Sequence, residues 1–64
     1  MTNKQIAAAR RAMNRFPSYR IEKVGNTLTP YRGSVAGTSV TVTDTMTESE
    51  VVQALMASCA TLDD

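Results

Sequence analysis

At 64 residues and 6.9 kDa, the chain has room for one folded unit, which excludes a multidomain enzyme or a repeat solenoid. It contains no His and one Cys, so Ser-His-Asp and Cys-His nucleophilic catalysis, HExxH hydrolysis, histidine-ligated zinc or haem, and four-thiolate metal centres are all excluded. Hydrophobic residues make up 42%, but eight of them are Ala and only three residues are aromatic, so the core must be thin for a domain that already has little interior.

The net charge of +1 conceals a segregation along the chain. All seven bases (Lys4, Arg10, Arg11, Arg15, Arg20, Lys23 and Arg32) lie in the first 33 residues, with Glu22 as the single acid there, a net of +6. Residues 34–64 hold five acids (Asp44, Glu48, Glu50, Asp63 and Asp64) and no base, a net of −5. Asymmetry of this kind points to association through a basic surface, an acidic surface or both.

From the N-terminus, Thr2-Asn3-Lys4-Gln5 has the spacing of a capping box, and a helix is expected to run from here until Pro17 stops it. Taking Lys4 as zero and about 100° per residue, Phe16, Ala9, Met13 and Ile6 fall between about 120° and 200° and form the expected core face. Lys4, Arg11 and Arg15 cluster opposite them. The alanines at 7, 8, 9 and 12 make a low surface that a second helix can approach closely.

From Ser18 the period becomes two, with Tyr19 and Ile21 on one face and Arg20 and Glu22 on the other. Gly25-Asn26 fits a two-residue hairpin with Gly at the first central position of a type II′ turn, a register that sets Lys23 opposite Leu28 and Ile21 opposite Pro30. Tyr19, Ile21, Leu28 and Pro30 then share the core face. Pro30 conflicts with a central position in a three-stranded meander, because it has no ladder donor. A break or bulge between Pro30 and Gly33, with a second turn at Ala36-Gly37, is the expected resolution.

Ser39-Val40-Thr41-Val42-Thr43 alternates strictly and predicts a third strand, with its Ser and Thr row facing solvent or a partner. Thr47-Glu48-Ser49-Glu50 is a second capping box, followed by a helix from about Glu48 to Ala60 whose apolar stripe holds Val51, Val52, Leu55 and Cys59, flanked by Met56. Residues 61–64 are expected to fray, with Leu62 able to extend the stripe. The order α-β-β-β-α implies a small two-layer α+β domain, a short antiparallel sheet with two helices.

Chemistry is constrained more by what is missing than by what is present. Gly25, Gly33 and Gly37 match no phosphate-binding loop, and Glu48 and Glu50 point roughly 200° apart on a helix, so they form no catalytic dyad. No metal site, cofactor or enzymatic activity is expected. The apolar run Ile6–Ala9 is cut by Arg10 and Arg11, too short for a signal peptide or a membrane span, and the lone Cys59, read as a buried core residue, suits a reducing compartment. A cytoplasmic chain with no membrane partner is expected.

The leading expectation is a non-enzymatic protein-binding module, an inhibitor, adaptor or regulator that engages an acidic partner surface through Lys4, Arg10, Arg11, Arg15, Arg20, Lys23 and Arg32. Small chains of this kind are often carried by phages or other mobile elements, an association by size class alone. Two alternatives stay open: nucleic-acid binding by the first helix and hairpin, against which a pI of about 7.9 argues, and a self-assembling subunit joining basic to acidic halves.

Overall fold

A computed structural model of the chain describes residues 1–63. Helix α1 (Asn3–Met13) is followed by strands β1 (Tyr19–Val24), β2 (Thr27–Arg32), β3 (Val35–Ala36) and β4 (Val40–Thr41), then helix α2 (Glu48–Ala60) and a 3-10 turn over Thr61–Asp63. The fold is α+β, with one more strand segment than the alternation predicts.

Both helices begin at the expected capping boxes. The Thr2 hydroxyl accepts from the Gln5 amide at 3.2 Å while Gln5 Oε1 accepts from the Thr2 amide at 2.9 Å; Thr47 and Glu50 repeat the exchange at 3.1 and 2.9 Å. Two amides that have no partner within each helix are thereby satisfied. After Met13 the chain turns through Asn14 to Ser18, with the amide of Phe16 donating to the Met13 carbonyl and that of Tyr19 to the Phe16 carbonyl.

β1 and β2 pair antiparallel in the predicted register, Ile21 opposite Pro30 and Lys23 opposite Leu28. At the turn Gly25 has φ 59° and Asn26 a negative φ, the pattern of a type II′ turn. The second turn lies at Gly33-Ser34, three residues earlier than expected, where Gly33 has φ 63° and Arg32 pairs with Val35. A Gly at the first central position again permits the positive φ that a two-residue hairpin of this type requires.

β2 is central, with β1 on one edge and both β3 and β4 on the other. Tyr31 faces Ala36 and Leu28 faces Val40, so three steps along β2 are matched by four on the facing chain. The extra residue is a bulge opposite Pro30, on the neighbouring strand and not between Pro30 and Gly33. A two-residue hairpin places the hydrogen-bonding groups of Thr27, Thr29 and Tyr31 toward β1, and those of Leu28, Pro30 and Arg32 toward β3 and β4. The Pro30 carbonyl does accept from the Gly37 amide on that side, at 2.8 Å. Its missing N–H falls where the bulge leaves the Thr38 carbonyl without a strand partner, and the Ser58 hydroxyl of α2 donates to that carbonyl instead. Pro30 is thus tolerated in a central strand because a helix supplies the donor it lacks.

The expected third strand, Ser39 to Thr43, is shortened to Val40–Thr41, and the extra segment β3 (Val35–Ala36) precedes it. Val42 still donates to the Asn26 carbonyl at 2.7 Å, just past the end of β2, before the chain turns over Thr43–Met46 into α2. Val42 points inward and Ser39, Thr41 and Thr43 outward, as the alternation predicts.

The two helices cover one face of the sheet and run parallel: Gln5, at the start of α1, bonds to the loop that enters α2, and Met13, at its end, lies with its sulfur 3.9 Å from that of Cys59. Ala9, Met13, Leu28, Val42, Val51, Leu55 and Cys59 form the core, and Leu28, Pro30, Val42, Val51 and Leu55 are fully buried. Each large side chain among them is worth about 1.5–3 kcal/mol of transfer free energy. Gly37 lets the ends of the fold close, since a Cβ there would lie 3.0 Å from Pro30 Cγ and 3.2 Å from Leu62 Cγ. The segment expected to fray forms the 3-10 turn over Thr61–Asp63, held by the Thr61 hydroxyl donating to the Ser58 carbonyl at 2.6 Å; residue 64 lies outside the described residues.

Candidate functional site

The buried positions of α1 are Gln5, Ala8, Ala9 and Met13, whose mean direction lies roughly 45° from the predicted apolar face, toward the alanines. α2 packs against this low side of α1, leaving Ile6 half-buried and Phe16 39% exposed. The rotation has a consequence for charge. Arg11 and Arg15, predicted to stand on the far side of α1, come to the rim of the helix–helix seam.

Along that seam runs a cleft of about 330 Å³ lined by Ala8, Ala12 and Phe16 of the α1 side, Val52 and Met56 of α2, and the two arginines. It continues past Phe16 and Met56 into a smaller depression of about 210 Å³ bounded by Met13, Tyr19, Cys59 and Ala60. Phe16 is held at this junction by an edge-on contact with Tyr19, ring centroids 6.5 Å apart and planes at 75°. Floor and end wall are apolar, and the bases stand on one side only.

The seven predicted partner-binding residues divide among several surfaces. Arg11 and Arg15 line the cleft, and Lys4 is exposed about two and three turns before them on the same stripe. Arg10 joins Arg20 around a separate depression between α1 and β1. The Arg20 guanidinium stacks over Tyr31, its cross-strand neighbour, 4.9 Å from the ring centroid, on the sheet face away from the helices. Lys23 is exposed on β1 opposite Leu28, and Arg32 is exposed at the far end of β2, opposite Tyr19.

Asp44 and Glu50 of the acidic half are engaged away from the basic helix. Asp44 sits 3.0 Å from the Met1 ammonium, which also donates to Asn26 Oδ1 at 2.9 Å. Glu50 is occupied by its own cap: the Thr47 backbone N–H and then the Thr47 side chain hold its carboxyl below the ordinary value near 4.5. Among the described residues, no carboxylate lies within ion-pair distance of Lys4, Arg10, Arg11 or Arg15. α2 carries no charge from Val51 to its end at Ala60, so the second wall of the cleft is neutral.

Sequence reasoning missed two features of this region. Val52 and Met56 read as core stripe, whereas both are half-buried and form the outer wall of the cleft. Gln5, read only as a capping residue, is 3% exposed and crosses to the loop before α2, its Nε2 donating to the carbonyls of Thr43 at 2.8 Å and Met46 at 2.9 Å. Its burial pins the two helix starts together and so sets the spacing of the seam. The sequence signal for it was an uncharged Gln at the position where the second capping box has Glu50.

Among the described residues no helix is long and apolar enough to cross a membrane. The chain matches no protein-family model, no curated protein and no solved structure.

Proposed function

We propose that the chain is a cytoplasmic, non-enzymatic protein-binding module, acting as an inhibitor, adaptor or regulator that engages an acidic surface of its partner. The observation that carries this reading is the cleft between α1 and α2: an apolar floor with Arg11 and Arg15 beside it and no carboxylate of the described chain to pair them. Solvated arginines are common on any amphipathic helix, but arginines beside a concave apolar strip combine steering with an anchor site. Arginine also pairs carboxylates through two parallel hydrogen bonds, a geometry lysine cannot offer.

The test is affinity capture over a salt series, with nuclease added to half of each sample and bound proteins identified by mass spectrometry. A defined protein should be retained at low salt, lost as salt rises, insensitive to nuclease, and released by Arg11→Glu with Arg15→Glu. Retention that disappears with nuclease would assign the basic residues to nucleic acid and refute the proposal, as would capture untouched by the double charge reversal.

A further inference from the structure

We infer that the α1–α2 cleft receives an amphipathic α-helix of the partner, whose apolar stripe fills the trough and whose acidic residues, three or four positions apart on one flank, meet Arg11 and Arg15. This rests on the protein-binding reading above and adds the shape and polarity of what is bound.

Shape comes first. Two parallel helices leave a straight trough whose walls are rows four residues apart, Ala8 and Ala12 leading to Phe16 on one side and Val52 and Met56 on the other. Rows at this spacing are the ridges and grooves into which a third helix packs. The alanines allow its backbone to come close, and Phe16 offers an aromatic anchor at one end.

Charge then orients the ligand. Arg11 lies in the last turn of α1 and Arg15 four residues on, just past the helix end, and both line the cleft, so acids three or four positions apart on a bound helix can face both. The opposite wall is uncharged, so the other flank of the ligand is expected to be neutral. A second copy of this chain fits less well. In a two-fold, face-to-face pairing of parallel helices, the arginines of one copy meet either their own counterparts or the uncharged stretch of α2.

The test uses three synthetic peptides of one length: an amphipathic helix former with Leu on one face and Glu on one flank, the same peptide with Lys for Glu, and an isomer of the acidic peptide permuted to destroy the apolar stripe. Binding to the full chain is followed by amide and methyl NMR shifts at low salt. The acidic amphipathic peptide should perturb Ala8, Ala12, Val52 and Met56 and bind at least about tenfold more tightly than either control. Ala12→Phe should fill the trough and abolish binding with both arginines intact. Arg11 and Arg15 are exposed, so reversing them to Glu leaves the fold in place and should invert the preference toward the Lys peptide, which keeps the test decisive if Ala12→Phe does not fold.

Equal binding of the acidic amphipathic and permuted peptides would overturn the inference while leaving salt-sensitive partner capture standing. Perturbation of the cleft on raising protein concentration alone, without peptide, would assign it to a second copy and overturn the inference too.

Discussion

Replacing Gln5 by Glu separates what the local motif needs from what the tertiary structure needs. A Glu at this position completes a capping box as well as Gln does, because the Thr2 amide requires only an acceptor. On local grounds the change is neutral or slightly stabilising, since a carboxylate also suits the positive end of the helix. The fold predicts the opposite. Gln5 Nε2 supplies both hydrogens to the Thr43 and Met46 carbonyls, and the substituted carboxylate would place negative charge against those same oxygens in a site only 3% exposed. Two lost hydrogen bonds at about 1 kcal/mol each, plus the cost of an ill-matched charge, come to on the order of 3 kcal/mol. A domain of 64 residues is held by about 3 to 10 kcal/mol in total, so the loss is a large share. Urea unfolding followed by circular dichroism should show the midpoint falling by roughly 2 to 3 M, given a slope of about 1 kcal/mol/M for a small domain. The deficit should narrow in acid. The folded state raises the pKa of the introduced carboxyl, so the penalty is full above that pKa and relieved as pH falls through it, where the protonated group can donate one bond. A Gln5→Glu variant as stable as the parent at pH 7 would refute the role assigned to the Gln5 amide.

Ser58→Ala removes a donor to the Thr38 carbonyl opposite Pro30, and should cost about 1 to 2 kcal/mol with faster hydrogen exchange at Gly37; an unchanged midpoint in urea would mean that the bulge does not depend on α2. Glu50→Gln keeps the cap but removes the titration. Because the Glu50 carboxyl is held below its ordinary value, its contribution is present above the unfolded pKa and is lost as pH falls through the folded one. The variant should therefore lose less stability than the parent between about pH 5 and 3, and parallel curves would count against it.

Sequence periodicity made several local features legible. Both capping boxes, the Gly25-Asn26 hairpin with its register, the inward Val42 and the buried Cys59 follow from interactions among neighbours, which a linear reading contains. The rest depended on contacts far apart in the chain. The second turn fell at Gly33-Ser34 because the Gly supplies the positive φ that a two-residue hairpin needs, and the Ala36-Gly37 pair was instead drawn into pairing with β2. The seam rotated toward the alanines because helix packing selects the face that permits the closest approach, which need not be the most hydrophobic one.

Taken alone, the sequence determined the fold class, the helix starts, the absence of histidine and the segregation of charge, since composition and short-range spacing decide each of these. Tertiary structure alone decided which bases share a surface. It brought Arg11 and Arg15 to an apolar trough and gave Gln5 and Ser58 their partners 41 and 20 residues away in the chain. The physical reason is one of range: caps and turns are satisfied within a few residues, whereas a groove and its rim exist only once two distant helices choose the faces they bury.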